Sequence, residues 1–175
     1  WLIAASRDGA SDDHLYRMPS AGGEMVRLTA EPGRHVGTLS PDGRQVAELY
    51  GNATALPDLF LREAVAGAPA IRVTASGTDE FIRRRFVTPE IVSVTHPDGK
   101  PVWFSVYRPV RLNAERAAVV HVHGGGYRHF THRGWSVYGY GLHVGMIHHL
   151  LEQGYVVMDF DYRGGAGYGR DYRTD

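Results

Sequence analysis

The residues with the clearest chemical potential lie in Val119-Val120-His121-Val122-His123-Gly124-Gly125-Gly126-Tyr127. An apolar run ends there on His-Gly-Gly-Gly. Acyl transfer passes through a tetrahedral intermediate whose former carbonyl oxygen carries negative charge. Backbone N–H groups held about 2.7–3.1 Å from that oxygen stabilise it, each by roughly 2.7–4 kcal/mol. Glycines suit such a cradle, because without Cβ the chain comes close and adopts positive φ. His123, Gly124, Gly125 and Gly126 are therefore candidates for an oxyanion-hole loop, with Gly125 central. Tyr127, next in the loop, is a candidate substrate-binding residue. The competing reading is a Gly-rich turn without a role.

A second segment follows: Asp159-Phe160-Asp161-Tyr162-Arg163-Gly164-Gly165-Ala166-Gly167-Tyr168-Gly169-Arg170-Asp171. A strand ending in Asp-x-Arg-Gly, then small residues and Tyr-Gly, after the helix that follows a His-Gly-Gly strand, resembles the prolyl oligopeptidase family of serine peptidases. The resemblance runs from about Leu39 to Asp175 and is best to the dipeptidyl peptidase IV-like and acylaminoacyl peptidase-like branches. It implies a β-propeller remnant (residues 1–80, last blades) followed by the N-terminal part of an α/β-hydrolase domain (residues 81–175). It further implies a serine-type peptidase that hydrolyses peptide bonds of short peptides by acyl-enzyme chemistry. In that fold the loop after His123 supplies half of the oxyanion hole.

The family pattern is not matched everywhere. Dipeptidyl peptidase IV and prolyl oligopeptidase place a Tyr just before the small residues of the loop, whose hydroxyl donates to the oxyanion. This chain has His123 there, as acylaminoacyl peptidase-like members do. Its ring either donates to the oxyanion or shapes the loop. No Ser lies in Gly-x-Ser-x-Gly; Ser136 has Gly134 before it but Tyr138 after it. The fold's order of nucleophile, acid and His places all three after the second buried strand. The expectation is an internal fragment that stops before the nucleophile and is inactive by itself.

These motifs need elements to hold them. Ala117 to Val122 reads as a buried strand, Leu142 to Leu151 as a helix stopped by Gly154, and Tyr155 to Phe160 as a second buried strand. Strand, helix, strand of this kind predicts a βαβ unit in a mainly parallel sheet. Ile91 to Thr95 and Val102 to Tyr107 flank His96-Pro97-Asp98-Gly99-Lys100, a hairpin by turn chemistry. Before residue 80 the chain reads as short strands: Leu2 to Ala5, Leu15 to Met18, Val26 to Thr29, Val46 to Tyr50, Asp58 to Arg62 and Ile71 to Thr74. Leu39 to Ala47, with its Pro41-Asp42-Gly43 turn, is similar to the blade repeat of prolyl oligopeptidase and TolB-like propellers. Glu80 to Arg85 reads as a charged connector.

Other chemistries are excluded or disfavoured. There is no cysteine, so disulfides, Cys-ligated zinc and thiol catalysis are out. Lys plus Arg is 19 and Asp plus Glu is 19, a balance that offers no global attraction for nucleic acid. No apolar run approaches the roughly 20 residues of a spanning helix. Histidines crowd between His121 and His149. A zinc site from His129, His132 and the His148-His149 pair is conceivable, but adjacent histidines point to different helix faces. They read as structural or solvated, with no metal and no cofactor. Gly165, Gly167 and Gly169 lack the Gly-x-Gly-x-x-Gly spacing of a dinucleotide loop. Trp135, Tyr138 and Tyr140 read as packing residues. The expected partner is a peptide substrate; a carboxylesterase-like hydrolase and a noncatalytic binding protein on the same folds are the alternatives.

Overall fold

The computed structural model describes residues 1–125, 128–135 and 141–174. They fall into two compact units. The first holds Trp1–Arg85 and Arg133–Trp135; the second holds Phe86–His132 and the described residues after Ser136.

The first unit is built of two antiparallel sheets. Strands β1 (Leu2–Ala5), β2 (His14–Arg17) and β3 (Val26–Arg27) form one. Strands β4 (Arg34–Leu39), β5 (Gln45–Asn52), β6 (Ala55–Glu63) and β7 (Ile71–Arg72) form a four-stranded meander. The Pro41-Asp42-Gly43 turn joins β4 to β5, closed by Gly43 N donating to Ser40 O at 2.9 Å. Leu15, Leu28, Val46 and Ala64 make the core, with Leu2 and Leu39 against it.

Strand β4 is absent from the strands expected from sequence. Its second residue, His35, is fully buried, which an apolar-alternation search does not find. His35 is accommodated because every polar atom has a partner. Nδ1 pairs with the Glu48 carboxylate, Nε2 meets Glu31 O at 2.8 Å, and the ring stacks 4.4 Å from Tyr50. Glu48 in turn accepts from Arg62 Nε. The expected charged connector is also corrected: Asp79–Ile82 is a short helix, α1, and Phe81 N donates to the Thr78 cap hydroxyl at 3.2 Å.

The second unit holds β8 (Glu90–Thr95), β9 (Pro101–Tyr107), β10 (Ala118–Val122), α2 (Gly141–Glu152), β11 (Val156–Asp161) and α3 (Arg170–Arg173). Its strand order is β10-β11-β9-β8. Strands β10 and β11 are parallel, with Val119 opposite Val157, as the strand–helix–strand reading requires. The sheet is not mainly parallel, however. β8 pairs antiparallel with β9, because the His96–Lys100 turn makes a tight hairpin, and β9 also pairs antiparallel with β11. Helix α2 lays Ile147 and Leu151 on Val157 and Tyr107, with Leu150 and Val87 alongside. Leu142 and Met146, expected on the same apolar stripe, are 89% and 43% exposed. The helix ends in a Schellman motif: Tyr155 N donates to Leu150 O and Gly154 N to Leu151 O. Among the described residues no helix is long and apolar enough to cross a membrane.

Candidate functional site: the loop after β10 and its carboxylate anchor

Strand periodicity decides what meets at the top of β10 and β11. Residues two apart share a face. On β11 the buried positions are Val157, Asp159 and Asp161. The face that begins as hydrophobic core therefore ends in two carboxylates. On β10, Val119 and His121 stand opposite Val157 and Asp159, and His123 follows at the next same-face step. Two cross-strand His–Asp pairs result. His121 Nδ1 is 2.8 Å from Asp159 Oδ1, and His123 Nε2 is 2.8 Å from Asp161 Oδ1.

Asp161 is the hub of the loop. Its side chain is fully buried. Besides His123 it accepts Phe130 N at 2.9 and 3.1 Å, Thr131 N at 2.8 Å and the Tyr168 hydroxyl at 2.7 Å. An ionised carboxylate offers about four acceptor sites, so its capacity is filled. The chain from His123 to Thr131 thus closes on one carboxylate. Burial, together with the Asp161 charge, raises the Tyr168 phenol above its ordinary range and keeps its proton on the donor side.

The second Gly-rich segment packs beneath this loop. Ala166 N donates to Arg128 O at 3.2 Å, and the Tyr172 hydroxyl donates to Asp161 O at 2.8 Å. At Gly167 (φ +96°) a Cβ would sit 2.7 Å from the His129 ring. The two motifs read from sequence are therefore one assembly, buckled by Asp161. Helix α3, four residues long, follows directly and supplies Tyr172; the sequence reading has no helix there.

The candidate site residues are placed as follows. His123 is buried, its ring stacked 4.4 Å from Phe130 and 4.9 Å from Tyr162. Its second nitrogen lies 3.1 Å from Gly124 O. Both nitrogens have protein partners, so the ring is fitted to position the loop. A Cβ on Gly124 would meet nothing within 4 Å. Gly125 has φ +71°, and its carbonyl accepts Arg128 N at 3.1 Å. Gly126 and Tyr127 lie outside the described residues, as do Ser136, Tyr138 and Tyr140. Trp135 is buried edge-on to Phe81, 5.5 Å away in the first unit.

Two of the histidines weighed as a zinc set, His148 and His129, are engaged by the backbone. His148 is held at both nitrogens, by Val144 O at 2.8 Å and Val87 N at 2.9 Å. His129 Nε2 meets Thr131 O at 3.1 Å. A different trio converges: His121, Asp159 and His143 of α2, with His143 Nε2 2.9 Å from Asp159 Oδ2. Sequence reasoning missed both aspartates as site residues. The signal was present, since His-x-His and Asp-x-Asp recur at a common offset of 38 residues.

No family model matches the chain. Its fold is similar to that of dipeptidyl peptidase 4 from Porphyromonas gingivalis, with a TM-score of 0.73 and 16% identity. The match covers 98% of this chain and 24% of that one, so the chain spans about a quarter of the length of this neighbour. At that identity the likeness is one of fold: three sheets, mostly β, resembling a fragment of a dipeptidyl peptidase.

Proposed function

We propose that this chain is a segment of a serine peptidase of the prolyl oligopeptidase type, contributing the oxyanion-hole loop of an α/β-hydrolase domain. The observation that carries the reading is the loop's position. His123, Gly124 and Gly125 leave the third strand of their unit and lead toward its first long helix. That is the connection that supplies one oxyanion donor in α/β-hydrolases. Gly125 at φ +71° and the open space beside Gly124 suit a backbone amide that a substrate carbonyl can approach. The four-stranded antiparallel meander of the first unit is the size of one propeller blade, and the fold likeness to a dipeptidyl peptidase supports the same pairing.

In this reading the substrate is a short peptide. The loop stabilises the oxyanion of the tetrahedral intermediate, Asp161 holds the loop, and the Ser, Asp and His of the triad lie in the rest of the protein. The test is labelling and turnover. The complete protein should react with a fluorophosphonate at a Ser outside these 175 residues and hydrolyse an aminoacyl-proline or aminoacyl-alanine chromogenic substrate. The 175 residues alone should do neither. Labelling of a Ser within Trp1–Asp175, or no labelling of the complete protein, contradicts the proposal.

A further inference from the structure

The His121–Asp159–His143 cluster belongs neither to the loop nor to the hydrophobic core. It draws one side chain from each of β10, β11 and α2. Asp159 is 2% exposed, and the two imidazole side chains are 29% and 12% exposed. One ligand atom from each residue can be chosen so that all three lie within 4.8 Å of one another. The two contacts to Asp159 are 2.8 and 2.9 Å, and the rings of His121 and His143 are 4.2 Å apart. Phe130 lies between this cluster and the loop anchor: it is stacked on His123 and edge-on, at 5.9 Å, to His143.

We infer that His121, His143 and Asp159 form a binding site for a divalent transition metal ion of the Zn²⁺ class. Tetrahedral zinc takes nitrogen and carboxylate oxygen at about 2.0–2.2 Å, which sets its ligands about 3.4 Å apart. The three donors, which lie within 4.8 Å of one another, would close to that arrangement by movements of about 1 Å. Two imidazoles and one carboxylate fill three positions and leave a fourth for water. Ser105 stands beside the carboxylate ligand in the sheet. It is the register partner of Asp159 on β9, so its side chain shares the same sheet face. Ser105 is fully buried and its hydroxyl has no hydrogen-bond partner among the described residues. A metal-bound water would give that hydroxyl an acceptor or donor.

Binding requires a lone pair on His121 Nδ1 and on His143 Nε2. Each ring then carries its proton on the other nitrogen, and the two imidazole–carboxylate hydrogen bonds give way to three metal bonds. The bound ion ties the first turn of α2 to β10 and β11. The alternative is a carboxylate satisfied by two imidazole N–H donors and nothing more.

Co²⁺ separates the two, because a tetrahedral Co²⁺ site in a protein absorbs in the visible and an imidazole–carboxylate pair does not. The tag-free chain, stripped with a chelator, is titrated with Co²⁺ and then Zn²⁺. One equivalent of Co²⁺ should produce the visible bands, and one equivalent of Zn²⁺ should abolish them and raise Tm. His143→Asn and Asp159→Asn should weaken binding by about 100-fold or more, as loss of a ligand exceeds the 10–100-fold cost of disturbing its supporting shell. His129→Ala should bind like the wild type. Absence of visible bands in the wild-type chain overturns the inference without reference to any variant. So does one-equivalent binding that survives both His143→Asn and Asp159→Asn.

Discussion

Removing the Asp161 carboxylate is the most informative change to the loop. Asp161→Ala deletes the acceptor of four donors: His123 Nε2–H, Phe130 N–H, Thr131 N–H and the Tyr168 hydroxyl. The two side-chain donors can turn elsewhere, but the two backbone amides are fixed by the chain. A buried donor left without a partner costs about 1–3 kcal/mol, so the amides alone predict a loss of about 2–6 kcal/mol. That is a large share of the roughly 5–15 kcal/mol that stabilises a domain. Asp161→Asn is different. With its oxygen at the Oδ2 position it still accepts Thr131 N, Tyr168 and, at 3.1 Å, Phe130 N. Its amide can donate to His123 Nε2, provided the ring moves its proton to Nδ1, where Gly124 O lies 3.1 Å away. The Asn variant should therefore lose about 1–2 kcal/mol, chiefly the charge assistance. Urea unfolding of the three proteins measures the difference. An Ala variant within 1 kcal/mol of wild type, or Asn and Ala variants equally destabilised, would refute the hydrogen-bond hub.

Three further outcomes follow from the same geometry. Gly167→Ala forces a Cβ against the His129 ring at a positive φ, so it should cost about 1–3 kcal/mol and lower Tm, whereas Gly124→Ala, in open space, should fold normally. The Tyr168 phenol is raised by burial and by the Asp161 charge. Its contribution to stability is present in full below the ordinary tyrosine value of about 10 and is lost as pH climbs through the raised folded value. Unfolding measured from neutral to strongly alkaline pH should therefore show a smaller alkaline loss in Tyr168→Phe than in wild type. Strand β10 is the edge of its sheet, with Val120 and Val122 57% and 61% exposed. Val122→Lys should shift the isolated chain toward monomer in sedimentation velocity, because a charge on an open edge opposes strand addition.

The legible parts of the fold were those written in turn chemistry and apolar period. Pro41-Asp42-Gly43 announces its turn, and His96 to Lys100 announces its hairpin. The run Ala117–Val122, the α2 spacing and the Gly154 stop define the parallel pair. Strand β4 was hidden because His35 and Glu48 satisfy each other inside the sheet, and no single-residue hydropathy anticipates a paired buried charge. Helices α1 and α3 are single turns, too short for periodicity to register. At the site, the glycines were visible as a loop, but the groups that hold the loop were not. Asp159 stands in a strand read as buried, and Asp161 reads only as part of the Asp-x-Arg-Gly motif, neither with a role at the site. Their importance lies in which face they occupy and what lies across it. Only the strand register converts Asp-x-Asp and His-x-His into two pairs.

Stabilisation of an oxyanion by the loop after β10 is open to a kinetic test. The direct measurement is kcat per folded molecule for Gly125→Val in the complete protein, with thermal unfolding run in parallel. Gly125 sits at φ +71°, where a β-branched residue is strained and displaces the backbone N–H groups around it. A donor lost only from the transition state lowers kcat rather than raising KM. In the variant, kcat should fall by about 10²–10³-fold at nearly unchanged KM, as for removal of one oxyanion donor. A correctly folded Gly125→Val protein with wild-type kcat would contradict that role for the loop.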